Sequence, residues 1–82
     1  MVKTSEQAIL EVISKALKLK DDRPLTLNSN MNDTEGWDSL GHLSILSALD
    51  KLYNGKIAPI REMATADSVA KIVQLLRKHS FI

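Results

Sequence analysis

The chain passes from a polar loop into an apolar helical pattern at residues 36–43, Gly36-Trp37-Asp38-Ser39-Leu40-Gly41-His42-Leu43. Asp38 suits the cap position of the helix that follows, because its carboxylate can accept hydrogen bonds from the first free backbone N–H groups. Ser39 then opens the helix with its hydroxyl on the surface, beside the positive end of the helix dipole, where a phosphate is stabilised. The junction therefore predicts a place at which a phosphate is attached or held.

The second helix, which begins at this junction, carries apolar residues on two adjoining sides. One side holds Leu40, Leu43, Leu46 and Tyr53, and the neighbouring side holds Ile45, Leu49 and Leu52. This apolar surface is wider than a single contact requires, so we expect the helix to touch more than one neighbour, or a ligand. Asn54-Gly55 is predicted to end it, since a helix commonly closes on a left-handed residue.

A first helix and a long loop precede the junction. The spacing of Thr4 and Gln7 is that of a capping box, which predicts that the first helix starts at Thr4. Its apolar stripe consists of Ile9, Val12, Ile13, Ala16 and Leu17. The stretch from Asp21 to Asp38 has no sustained periodicity and reads as a loop. Its predicted anchors into the core are Leu25, Leu27 and Met31.

After the second helix, the pattern predicts a short third helix around Ile60 to Ala64 and a longer final one. Thr65 or Asp67 is expected to cap the final helix. The buried face of that helix is predicted to hold Val69, Ile72, Val73 and Leu76. The whole chain, residues 1–82, is therefore expected to form a single all-α domain. We predict a small four-helix bundle, with three longer helices, one short helix, and a long loop between helices one and two.

Composition narrows the possible functions. At 82 residues the core must be small, so an elaborate enzyme is not expected. Cysteine is absent, which excludes disulfides and thiolate metal sites, so any reactive thiol must be imported. A net charge of +1 with dispersed basic residues does not favour nucleic-acid binding. No apolar run approaches the roughly 20 residues that span a bilayer, and a signal peptide is not evident. We expect a cytoplasmic monomer without membrane insertion.

Three residues near Ser39 allow two interpretations each. Trp37 either covers the core or contacts a docked enzyme. Gly41 either leaves room for such an enzyme or is a tolerated small residue near a helix end. With Asp38 and Ser39, His42 imitates the parts of a hydrolase triad, but residues on one helical turn are poorly arranged for an oriented base and an oxyanion hole. We therefore expect no catalytic residue, no metal site, and a solvated His42.

Asp38-Ser39-Leu40, placed after a long loop at the start of the second helix of a short all-helical chain, resembles the acyl carrier protein family. The resemblance covers essentially the full length. In that family the serine is esterified by a 4'-phosphopantetheine arm transferred from coenzyme A, and the thiol of the arm carries acyl groups as thioesters. The resemblance implies that Ser39 is the attachment residue, flanked by Asp38 and Leu40. It also implies that Asp38 helps to bind the transferase or its metal.

The same resemblance implies the partners, which are a phosphopantetheinyl transferase and enzymes that load and process the acyl group. Trp37, Gly41 and His42 are the candidate docking residues beside the arm. A long cargo would need shelter from water, and the candidate lining residues are Leu43, Leu46, Ile60 and Met63. Plain core packing is the competing interpretation for this set.

The second helix departs from the family in its charge. Typical members present a row of carboxylates along this helix to basic enzymes, whereas here Asp50 is the only acid between Leu40 and Tyr53. Because charge complementarity governs encounter and partner choice, we predict a specialised acyl carrier, working in specialised lipid or secondary-metabolite biosynthesis. Two alternatives remain open. One is an aminoacyl or peptidyl carrier protein, and the other is an unmodified helical protein-interaction module.

Overall fold

The computed structural model describes residues 5–19 and 25–82, which form three α-helices and one short 3₁₀ helix. The α-helices are α1 (Glu6–Leu17), α2 (Ser39–Leu52) and α3 (Val69–Lys78), and the 3₁₀ helix spans Arg61–Thr65. The all-α prediction is confirmed for these residues. The predicted bundle of four helices is confirmed in part, because the short third segment is a 3₁₀ helix that begins one residue later than expected.

The core lies where α1 meets α2 and α3. α1 packs against both α2 and α3, and the 3₁₀ helix packs against α2 and α3. Residues of the core with no exposed surface are Ile9, Ile13, Ile45, Leu49, Val69, Ile72 and Leu76. Within each helix these residues recur at steps of three or four, as the apolar stripes predicted. Burial of one such side chain stabilises the fold by about 1.5–3 kcal/mol.

The N-caps of α1 and α3 differ from the predicted ones. Ser5 caps α1, because its hydroxyl accepts a hydrogen bond from the Ala8 N–H at 3.2 Å. The predicted start at Thr4 lies outside the described residues. Ser68 caps α3 by accepting from the Lys71 N–H at 3.2 Å, so the prediction of Thr65 or Asp67 is wrong. In both helices the hydroxyl directly before the first helical residue is the one that reaches the free backbone N–H.

Asp67 has a different role, as the partner of a lysine on the first turn of α3. Its carboxylate lies 2.9 Å from Lys71 Nζ, four residues along the chain. The hydrogen bond from Lys71, together with the charge of the lysine, lowers the pKa of Asp67. The pair therefore adds stability at neutral pH, and this contribution is lost as the pH falls through the lowered pKa. Both side chains are exposed, so the contribution is small.

Replacement of this lysine gives a direct check on the pair. In Lys71→Met protein we expect the pKa of Asp67 to rise towards its ordinary value, since both effects of the ammonium group are removed. An NMR titration of the side-chain carboxyl carbon measures the change. Lys78→Met is the matched control, because Lys78 lies near Glu62 instead. An unchanged Asp67 pKa in Lys71→Met protein would contradict the assignment.

The described part of the long loop is fastened to the start of α3. The Met31 N–H donates to the Asp67 carbonyl at 2.8 Å, and the Val69 N–H donates to the Ser29 carbonyl at 3.0 Å. Of the three predicted anchors, Leu25 is buried and Met31 is half-buried against the core. The third prediction is wrong, because Leu27 is 41% exposed. It lies in a turn closed by the hydrogen bond from the Ser29 N–H to the Thr26 carbonyl, which directs its side chain outward.

The end of α2 confirms the prediction for Asn54-Gly55. Both residues have a positive φ, of 56° and 82° respectively. The Gly55 N–H donates back to the Asp50 carbonyl at 2.8 Å, and the Asn54 N–H donates to the Lys51 carbonyl. This pair of bonds is the Schellman arrangement, and it satisfies the last free carbonyl groups of the helix.

Candidate functional site

The loop-to-helix junction has the local geometry that its sequence predicts. Asp38 has an extended backbone, and its carboxylate accepts a hydrogen bond from the Gly41 N–H at 2.8 Å, which makes it the N-cap of α2. Ser39 is the first residue of the helix and is exposed. Its hydroxyl therefore lies at the end of a 14-residue helix where free N–H groups and the positive dipole favour a phosphate.

Gly41 occupies a point where the loop backbone crosses α2 closely. A Cβ atom at this position would lie 2.1 Å from the Gly36 carbonyl oxygen and 2.9 Å from a terminal carbon of Leu17. No side chain fits in that space, so Gly41 is more than a tolerated small residue. Internal packing thus accounts for a glycine at position 41, and a docked enzyme is not needed to explain it. Gly41 lets the loop that leads to Ser39 lie directly on the helix.

Trp37 and His42 lie inside the protein rather than on its surface. Trp37 is 2% exposed and His42 is 6% exposed. The expectation of a solvated histidine is therefore wrong, and of the two interpretations of Trp37 the burial favours core packing. Neither ring is accessible for docking. Of the three candidate docking residues, Trp37 and His42 thus belong to the interior of the protein.

The two rings belong to a chain of hydrogen bonds. Trp37 Nε1–H donates to His42 Nδ1 at 3.1 Å, and His42 Nε2 lies 2.8 Å from the carbonyl oxygen of Met63. Because the indole N–H only donates, Nδ1 must accept, and the ring proton must be on Nε2, where it donates to the carbonyl. Both ring nitrogens are thus engaged away from Ser39. His42 is not placed to act as the base of a hydrolase.

The predicted cargo-lining residues have very different environments. Leu43 is 60% exposed on α2, whereas Met63 is 1% exposed. Leu46 and Ile60 are partly buried and pack against the core. Leu40, the residue after Ser39, is 75% exposed. An apolar surface formed by Leu40 and Leu43 thus lies beside the serine, and we call it the leucine patch.

The exposed side of α2 carries little charge. The carboxylate of Asp50 accepts hydrogen bonds from the backbone N–H groups of Ile57 and Ala58, at 3.0 and 2.9 Å, so this acid holds the following loop. Ser44 and Ser47 are exposed and uncharged. The helix beside Ser39 therefore offers an incoming protein apolar and hydroxyl groups rather than a row of carboxylates.

Residues 5–19 and 25–82 contain no group of three or more histidine, cysteine, aspartate or glutamate side chains placed to hold a metal ion. The helices in those ranges are too short or too polar to cross a membrane.

Comparison with known proteins gives one family match. The model of a family described as the phosphopantetheine attachment site matches residues 7–76. Comparisons with curated proteins and with solved structures found no match. The matched range begins within α1 and ends within α3. It therefore includes the complete loop-to-helix junction around Ser39.

Proposed function

The chain belongs to the phosphopantetheine-attachment family, and from that premise we propose that Ser39 is the residue that carries the arm. Membership makes the chain a carrier domain whose covalently bound prosthetic group is 4'-phosphopantetheine. When bound, this group supplies a thiol that holds cargo as a thioester. The chain itself has no cysteine, so that chemistry has no source among its own side chains.

The observation that carries the proposal is the exposure of Ser39 at the first position of α2. A phosphate ester on this hydroxyl lies at the helix N-terminus, where the dipole and free N–H groups stabilise negative charge. Asp38 keeps the helix start in place through its 2.8 Å bond to the Gly41 N–H. The site therefore has an accessible nucleophile, a favourable field for the product and a rigid support.

We propose acyl groups as the cargo, within specialised lipid or secondary-metabolite biosynthesis. The support for specialisation is the surface of α2, where the leucine patch is exposed and the carboxylate of Asp50 is engaged by a loop. A partner enzyme that selects this surface must match apolar and hydroxyl groups. The phosphopantetheinyl transferase and the enzymes that load and process the acyl group are the proposed partners.

The arm itself is tested by the mass of the intact protein. The purified chain is incubated with coenzyme A and a broad-specificity phosphopantetheinyl transferase, and a gain of one arm is expected. No gain would favour the unmodified interaction module.

The cargo is tested by the masses of the species bound to the thiol when the protein is isolated from its own cells. Acyl masses support the proposal, and aminoacyl masses would overturn it in favour of a peptidyl carrier.

The weak charge of α2 has a measurable consequence. We expect general fatty acid synthase enzymes to elongate chains on this carrier at least about 10-fold more slowly than on a typical acidic carrier, because electrostatic steering raises association rates by roughly 10–10³-fold. The double variant Ser44→Glu/Ser47→Glu adds two carboxylates at exposed positions of the same helix. It should recover part of the rate. Equal rates on the native chain and the acidic carrier would contradict specialisation.

A further inference from the structure

A buried chain of hydrogen bonds connects three segments of the protein. It begins at Trp37 in the loop, passes through His42 in α2 and ends at the carbonyl oxygen of Met63 in the 3₁₀ helix. The planes of the two rings are nearly parallel, at 14°, with their centroids 6.2 Å apart. We call this set the Trp–His–carbonyl chain.

The Trp–His–carbonyl chain requires one particular tautomer of the His42 imidazole. With the proton on Nε2, every donor in the Trp–His–carbonyl chain has an acceptor. With the proton on Nδ1 instead, the imidazole N–H would face the indole N–H of Trp37, and the Met63 carbonyl would lose its imidazole donor. Since His42 is 6% exposed, water offers little compensation for such a mismatch.

Trp37 and His42, two members of the Trp–His–carbonyl chain, flank Ser39 in the sequence. Trp37 lies two residues before Ser39, and His42 lies three residues after it. The α2 helix has other supports, which are the Asp38 cap and the buried Ile45 and Leu49. Loss of the imidazole would therefore leave α2 folded. It would remove the side-chain hydrogen bond that ties Trp37, in the loop that leads into Ser39, to the helix.

We propose that His42 is a positioning residue for the modification of Ser39, an inference that rests on the proposed function of Ser39. The neutral imidazole holds the loop and the 3₁₀ helix against α2 in the arrangement that the transferase recognises. When the hold is lost, the recognised arrangement exists for only a fraction of the time, and the apparent affinity for the enzyme falls by that fraction. The effect should therefore appear in KM for the unmodified chain, with kcat nearly unchanged.

The kinetic test compares three variants in the transferase assay with coenzyme A. His42→Leu removes both hydrogen bonds and should raise KM roughly 10-fold. His42→Gln retains a donor and an acceptor and should restore much of the loss. Trp37→Phe removes the indole N–H together with part of the buried ring and should raise KM in the same direction, which keeps the test open if His42→Leu fails to fold. Val73→Ala, a core change in α3, controls for general destabilisation and should leave KM near the native value.

An NMR readout accompanies the kinetics. The nitrogen shifts of His42 should show a protonated Nε2 and an unprotonated Nδ1, and the indole N–H of the single tryptophan should exchange slowly. The indole N–H should exchange faster with solvent in His42→Leu protein. Protonation on Nδ1, or an unchanged KM in folded His42→Leu protein, would overturn the inference while Ser39 keeps its role. A native chain that takes no arm would overturn the proposed function and this inference together.

Discussion

Ser39→Ala protein is expected to keep its unmodified mass after incubation with coenzyme A and a broad-specificity transferase, while the native chain gains one arm. The variant lacks the oxygen that forms the phosphate ester, so the expected loss is complete. The fold should be retained, because Ser39 is exposed and the Asp38 cap does not use its hydroxyl. Alanine also has a high helix propensity. Unchanged circular dichroism and thermal unfolding would show that the loss concerns chemistry.

Ser47→Ala is the matched control for this loss. Ser47 is exposed on the same helix, so its replacement removes a surface hydroxyl without approaching the junction. We expect this variant to gain the arm at the native rate. Two outcomes would contradict the assignment of Ser39. One is a Ser39→Ala chain that still gains the arm, and the other is a Ser47→Ala chain that does not.

Gly41→Ala is expected to destabilise the protein and to impair its modification together. Two effects oppose each other at this position. Alanine gains up to about 1 kcal/mol over glycine in a helix. Overpacking costs about 1–3 kcal/mol or more, and here the added carbon would lie 2.1 Å from the backbone oxygen of Gly36. A backbone oxygen cannot rotate away as the end of a side chain can, so we expect a clash of about 3 kcal/mol to outweigh the helix gain and to leave a net loss of stability of about 2 kcal/mol.

The consequence for modification follows from where the clash lies. Gly36 precedes Ser39 by three residues, so a loop pushed away from α2 moves the entry to the modification site. Unfolding in urea measures the stability, and the transferase assay measures the modification. Gly55→Ala is the control, since its Cβ meets open space and only the positive φ of 82° is strained, which costs about 1–2 kcal/mol. It should lose stability yet accept the arm at the native rate. Native stability and modification in Gly41→Ala protein would contradict this role.

The features that the sequence predicted well are those set by neighbours along the chain. The Asp38 cap and the Asn54-Gly55 ending depend on residues within one turn. The apolar stripes that pack α1 and α3 follow from spacing alone. The start of α2 at Ser39 was predictable for the same reason, since it depends on the adjacent Asp38 cap.

The features that the sequence missed depend on distant contacts or on competition among similar residues. Several hydroxyls and carboxylates precede α3, and only the backbone geometry selects Ser68 over Thr65 and Asp67 as the cap. The burial of His42 depends on a carbonyl group 21 residues further along the chain. Glycine in the first turn of α2 was a visible signal of close approach, but its neighbour, Gly36, is identified only by the fold.

Tandem mass spectrometry of the modified native chain tests the role of Ser39 most directly. The tryptic peptide that ends at Lys51 contains four serines, Ser29, Ser39, Ser44 and Ser47, so the fragments can distinguish the attachment residue from its neighbours. We expect the whole added mass on Ser39. An arm found on any other residue, or a peptide that stays unmodified under conditions in which a known carrier is fully converted, would contradict the assignment.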